Sequence, residues 1–375
     1  MAHTVVIAPD SFKGTIGAAA AAEALAAGWR RESTDSDLRL LPMADGGEGT
    51  VDAFAAAVPG AQRMPVTVTG PEDEPVEASW VLLPPTPDAP HGTAVVELAN
   101  TSGIELLGTP PRLRAFDAHT RGFGEAIADA LAHGVSRLVL GIGSSSSTDG
   151  GTGMLTALGA RFTDAAARPV VAGARGLGSV AVADLSGLAP LPPGGVTVLS
   201  DVTNPLLGPR GAAAVFGPQK GALPDDIAVL DAGLARLAQL VDADPEAPGA
   251  GAAGGTGFGL LAWGASLVPG SAAVAELVGL DAAVGEASVV VTGEGSYDGQ
   301  SAAGKVPAHV GAVAAAVGVP VALVAGRIAA DADTSGFAAT ASLTELAGSG
   351  EAAMAETARW LEEAGAQLAR ELDPR

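Results

Sequence analysis

The sequence predicts an α/β protein, a discontinuous Rossmann-like three-layer domain into which a second α/β domain is inserted. Three features lead there. Residues 5–8 form a short apolar run that passes through the polar loop PDSFKGT into an alanine-rich stretch, the strand–loop–helix opening of an α/β unit. The same rhythm resumes near the other end, with a β-branched run at 288–291, a Gly-rich loop and an apolar stretch beyond Pro307. In between, residues 66–98 alternate apolar and polar around the turn-rich separators GPEDEP and PPTPDAPHG, as antiparallel strands do. Residues 1–62 and 285–375 are therefore assigned to the Rossmann-like domain and 63–284 to the insert.

In chain order, a helix is expected over 18–29 and a strand over 38–41, after which ADGGEGT leads into a helix at 51–57. Strands follow at 66–69, 76–83 and 94–98, then a helix at 123–131 and a buried strand at 138–142. The Ser/Gly loop GIGSSSSTDGGTGM runs from there into another helix, and a strand at 196–199 ends in SDVTNP. Ile227, Leu230, Leu234, Leu237 and Val241 recur at helical spacing and mark a core-facing helix. GAGAAGGTGFG, residues 249–259, reads as a flexible linker. A helix at 307–317, a strand at 320–324 and an amphipathic helix over 351–372 close the chain, with Met354, Leu361, Leu368 and Leu372 on its buried face.

Length and charge narrow the function. A chain of 375 residues can bury two cores, and its net charge of −22 repels nucleic acid and anionic membrane, so a small molecule is the expected partner. With no cysteine, thiolate metal sites and a Cys nucleophile are excluded. The start, MAHTVVIAPDSF, lacks the basic and apolar regions of an export signal, so a cytoplasmic location is expected. The apolar run 310–326 is broken by Pro320 and reads as helix, turn and buried strand, not as a membrane span.

Chemistry concentrates in five acid-bearing loops: Asp10 with Ser11 in PDSFKG, Asp45 and Glu48 in ADGGEG, Asp149 behind Ser144 and Ser145, Asp201 with Asn204 in SDVTNP, and Glu294, Asp298 and Gln300 in GEGSYDGQ. Only three of the 20 basic residues are lysines, and Lys13, Lys220 and Lys305 each stand in a Gly-flanked polar stretch. A compact ammonium suits phosphate oxygens, as do the hydroxyls and N–H groups of a Ser/Gly loop at a helix start. Phosphoryl transfer needs such groups together with carboxylates that hold Mg²⁺ and one that takes a hydroxyl proton. Singly, each Asp is as well explained by a helix cap or an Asx turn. GQSAAGK, residues 299–305, matches part of a phosphate-binding loop, but Val306 replaces its Ser or Thr, so it is read as a looser anion loop. No G-x-S-x-G elbow or dinucleotide fingerprint is present, and the histidines show no metal-ligand spacing.

Taken together, IAPDSFKGT, MADGGEGT, GIGSSSSTDGGTGM, DVTNPLLGPRGAAAVFGPQKGA, GAAGGTGFG and VVTGEGSYDGQSAAGKVP resemble the motif series of the bacterial glycerate kinases. The resemblance implies a two-domain α/β kinase, its active site in the cleft between the domains, that uses Mg-ATP to phosphorylate D-glycerate. Within it Lys13, Lys220 and Lys305 would hold phosphate or carboxylate oxygens, Asp10 or Asp45 would orient or deprotonate the acceptor, and Asp201 and Glu294 would hold the metal. Three departures stand out: Ser144, Ser146, Ser147 and Thr148 replace Gly, Ala, Thr and Asn of the usual loop; Ser296 replaces an arginine; and Arg121 appears in a segment that usually has none. Arg121 is open to two readings, a replacement for the lost arginine or an exposed residue at a helix start. A kinase for another small hydroxy acid, a non-catalytic acid-binding protein and a phosphate-releasing hydrolase are the alternatives.

Overall fold

The structure, a computed structural model, describes residues 3–298 and 306–372. It divides into two compact units, one made of Met1–Asp45, Asp52–Pro59 and Pro269–Arg375, the other of Gly46–Val51 and Gly60–Val268. The strands are β1 Thr4–Pro9, β2 Asp37–Leu40, β3 Gln62–Thr69, β4 Pro75–Leu83, β5 Thr93–Glu97, β6 Arg137–Gly141, β7 Arg161–Thr163, β8 Val182–Asp184, β9 Val196–Leu199, β10 Ser266–Val268, β11 Val289–Tyr297, β12 Val321–Ile328 and β13 Ala339–Ser342.

The first unit is a parallel five-stranded sheet in the order β13-β12-β11-β1-β2. Every residue of β1 is buried, as the unbroken apolar run 5–8 requires of a strand covered on both faces. Val5, Ile7, Val291 and Val324 pack with Ala22, Leu25, Leu361 and Leu368 of helices Ala18–Glu32 and Thr357–Leu372, and helix Val306–Val317 packs against β11 and β1. The chain steps from β1 to β2 on one side and from β11 through β12 to β13 on the other. The reversal falls between β1 and β11, and open α/β sheets bind ligands at the carboxyl ends of strands flanking such a switch point.

The second unit carries the sheet β10-β9-β6-β5-β4-β3, parallel from β10 to β5 and antiparallel across β4 and β3. The alternation at 66–98 thus marks antiparallel pairs only as far as β4 with β5; the other edge of β5 pairs parallel with β6. The change between the units comes at 268/269, earlier than the expected 284/285, because helices Gly270–Val278 and Leu280–Gly285 pack with helix Val306–Val317.

Two local readings are corrected. Residues 249–259 are not a linker: they enter helix Ala252–Trp263, and Gly254, Gly255, Gly257 and Gly259 are buried. Ala253, Gly254 and Gly255 have φ of 52°, 66° and 89°, and a Cβ on Gly254 would lie 2.0 Å from the Ser147 carbonyl oxygen and 2.9 Å from Lys220 Nζ. Glycine is there for close approach to the Ser/Gly loop. The terminal helix is also two helices, Gly350–Ala355 and Thr357–Leu372, parted at Glu356. The break shifts the helical phase, so Met354 is 65% exposed while Leu361 and Leu368 are buried as expected.

Candidate active site

Asp10 is the first residue beyond β1, and its N–H donates to the Gly293 carbonyl of β11 at 2.8 Å, so it sits on the switch point itself. Glu294 is the next residue of β11, 6% exposed. Asp45 closes the segment after β2, which the bonds Leu41 N–H to Ile7 O and Met43 N–H to Pro9 O hold against β1. Parallel strands therefore deliver three carboxyls to one end of the sheet. They line a cavity of about 440 Å³ together with Lys13, Ser296 and Arg327. Its far wall, formed by Leu343, Ala353 and Met354 with Thr344 and Thr357, is largely apolar.

The neighbouring acids perturb Asp10. Burial pushes the Asp10 carboxyl up from 3.8 to about 8; Asp45 and Glu294 add to the rise, while the Ser11 N–H at 2.6 Å and the Lys13 ammonium oppose it. Like charges in a desolvated crevice cannot all ionise freely. Ser11 is half-buried and Lys13 exposed at the mouth. Gly270 fixes Asp45 from behind: a Cβ there would overlap the Asp45 carbonyl oxygen at 1.9 Å. Asp298 is half-buried just after β11. Gln300 and Lys305 lie outside the described residues.

The other predicted residues belong to the second unit and form a different kind of assembly. Lys220 is fully buried, its Nζ donating to Ser145 Oγ at 2.6 Å and to the Ser147 carbonyl at 2.5 Å. Burial pulls its pKa down from 10.5 to about 7, against the pull of Asp149 in the other direction. Asp149 is buried as well and accepts from Thr120 N–H at 3.0 Å, Thr120 Oγ1 at 2.8 Å, Gly153 N–H at 3.1 Å and Gly151 N–H at 3.2 Å. The carboxylate joins the starts of helices Arg121–Ala132 and Thr152–Ala157. Ser147 and Thr148, which replace Thr and Asn of the usual loop, are buried with Oγ and Oγ1 unbonded among the described residues. Ser144 sits in the left-handed region at φ 57°, where the usual loop has glycine.

Glu48 is half-buried on the segment Gly46–Val51, whose Val51 N–H donates to Glu97 Oε2 at 2.8 Å. Asp201 is exposed at the end of β9, and Asn204 spends its side-chain amide on the Arg210 carbonyl at 2.8 Å. Asp201 and Glu294, the pair expected to hold the metal, fall in different units. Arg121 takes the plainer of its two readings. Its Nε donates to Glu125 Oε1 at 2.8 Å, an exposed i,i+4 pair. Burial pushes the Glu125 carboxyl up, but bonds from Thr69 and Arg121 outweigh it and leave the group below its ordinary value. His119 is buried and bonded to Asp73 and to the Arg121 N–H.

The glycerate kinase family's sequence profile matches residues 5–373. The chain belongs to the glycerate kinase family. Among similar members are the glycerate kinase of Bacillus subtilis, 41% identical over 87% of this chain and 86% of that one, and the glycerate 2-kinase of Escherichia coli, with the same identity and coverage. The crystal structure of a Salmonella typhimurium LT2 protein assigned as glycerate kinase 2 matches with a TM-score of 0.81 at 37% identity, over 99% of this chain and 98% of that one. As in any glycerate kinase, the reaction class is phosphoryl transfer to an alcohol.

Sequence reasoning missed Arg327 and Gly270. Arg327 stands at the carboxyl end of a predicted strand, a position that could have flagged it. Gly270 acts only through a contact far along the chain, and no local pattern announces it. Among the described residues no helix is long and apolar enough to cross a membrane.

Proposed function

We propose that the protein transfers the γ-phosphoryl group of ATP to a hydroxyl of D-glycerate. The observation that carries the reading is the Asp10–Asp45–Glu294 cluster at the β1/β11 switch point, with Lys13 at the mouth of the same cavity. As the acceptor oxygen bonds to the γ-phosphorus and the bond to ADP breaks, the hydroxyl proton passes to Asp10. A carboxylate made more basic by burial and acidic neighbours suits that task. Lys13, an exposed point charge one turn of loop away, holds phosphate or carboxylate oxygen. In the second unit, Ser144 and Ser145 offer hydroxyls and backbone N–H groups to phosphate. Lys220 is spent on holding that loop in shape, which makes it a positioning residue.

The oxygen-only donors of the first unit fit Mg²⁺, which takes one or two carboxylates and fills its shell with phosphate oxygens and water. The described residues contain no group of three or more potential ligands arranged as a preformed metal cage, in keeping with that habit. Glu294 is the proposed ligand in the first unit. Magnesium, when bound, would neutralise charge on the phosphates. The name of the E. coli relative favours the 2-hydroxyl as acceptor. A coupled ADP-release assay with D-glycerate and Mg-ATP tests the reading, and phosphorus NMR of the product assigns the hydroxyl. Absence of turnover with glycerate and with related sugar acids would refute it.

A further inference from the structure

We propose that Arg327 binds the carboxylate of the acceptor, taking over from the neighbouring strand the place that Ser296 leaves without a cation. The inference rests on the proposed acid-phosphorylating activity and adds the residue that recognises the acid. A cavity walled by Asp10, Asp45 and Glu294, in a chain of net charge −22, opposes entry of an anion unless a cation stands inside it. The described lining offers two, Lys13 and Arg327. Lys13 stands on the same loop as Asp10, at the reacting end of the cavity.

Arg327 is otherwise placed. It lies near the carboxyl end of β12 and is the register partner of Ser296 on β11. Neighbouring strands are about 4.8 Å apart, and an arginine side chain reaches farther than that, so its guanidinium can serve the same part of the cavity as a side chain rooted at 296. In the first unit Arg31, Arg39, Arg359 and Arg370 are each tied to a carboxylate. No carboxylate among the described residues pairs with Arg327, which is exposed and lines the cavity. A guanidinium fork matches a carboxylate bidentately, which a serine cannot do. Arg121, the other arginine that could have compensated, belongs to the second unit and is committed to Glu125.

The test compares wild type, Arg327→Ala, Arg327→Lys and the double variant Arg327→Ala with Ser296→Arg. Steady-state kinetics are paired with calorimetric binding of D-glycerate and of uncharged glycerol. Loss of a charge-assisted bidentate pair should raise KM and Kd for glycerate by roughly tenfold or more, with KM for ATP changed by less than about twofold. Lysine should recover part of the loss and the double variant most of it, while glycerol binding should be the same in all. Arg121→Ala serves as a control with wild-type KM for the acid. Unchanged glycerate KM and Kd in Arg327→Ala would overturn the assignment, as would a rise confined to ATP, which would place the residue on the donor. A wild type that neither turns over nor binds D-glycerate would instead bring down the proposed function and the carboxylate assignment with it. A wild type that turns glycerate over but is indifferent to Arg327 sinks the assignment alone.

Discussion

Replacing Asp10 with Asn should make the protein more stable and less active, and the gain in stability should depend on pH. The Asp10 carboxyl is pushed up to about 8 in the folded protein, while in the unfolded chain it lies near its ordinary value of 3.8. Below pH 4 both states hold the proton and the site costs nothing. As pH rises from 4 to 8 the unfolded chain loses the proton while the folded one keeps it, so stability falls with pH and the full penalty is present above 8. At 1.36 kcal/mol per pKa unit the shift corresponds to at most about 6 kcal/mol, and because relaxation and water penetration reduce such penalties, about 2–4 kcal/mol is expected for Asp10. Asn keeps an oxygen for the Ser11 N–H and carries no charge. Urea unfolding followed by circular dichroism at pH 4, 6 and 9 should therefore show Asp10→Asn close to wild type at pH 4 and more stable by roughly that amount at pH 9. In the same variant kcat/KM should fall about 10²–10⁴-fold, as expected for loss of a general base. The wild-type kcat/KM should climb on the alkaline side of neutrality as the ionised fraction of Asp10 grows. A stability difference that is flat with pH would refute the buried, mutually repelling cluster, whatever the activity.

Lys220→Met should show the opposite slope. The Lys220 ammonium is penalised below pH 7 and the penalty fades as pH rises toward 10.5, so wild type should gain stability relative to Lys220→Met between those values, measured by the same unfolding series. Its kcat/KM should drop about 10²-fold through loss of the loop's shape, with normal activity in a folded Met variant counting against the positioning role. Ser144→Gly should stabilise the protein by about 0.5–1 kcal/mol, read as a higher Tm, because φ 57° is strained for serine and free for glycine. Asp149→Ala should cost about 3 kcal/mol or more, since it strips four donors, three of them buried, of their acceptor, and a loss below about 1 kcal/mol in urea unfolding would contradict that hub.

Local sequence specifies the α/β class, most strands and helices, and the loops proposed to carry the chemistry. These are properties of short stretches: β-branched runs, alanine-rich helices, and glycine beside Asp, Ser and Lys report locally what the backbone will do. Asp10, Asp45 and Glu294 were legible because each follows an apolar strand. How similar motifs are used depends on long-range packing. Lys13 and Lys220 look alike in sequence, yet one stands at a cavity mouth and the other is sealed beneath a serine loop. Asp10 and Asp149 both precede helices, but one is crowded by other acids while the other is consumed by four donors from loops and helix starts. Gly254, read as linker, is buried against the Ser147 carbonyl, and Arg327 becomes a cavity residue through its register with Ser296. A residue's neighbours along the chain set its backbone conformation. Burial, charge and access are set by neighbours brought from tens to hundreds of residues away, and sheet register alone fixes which those are.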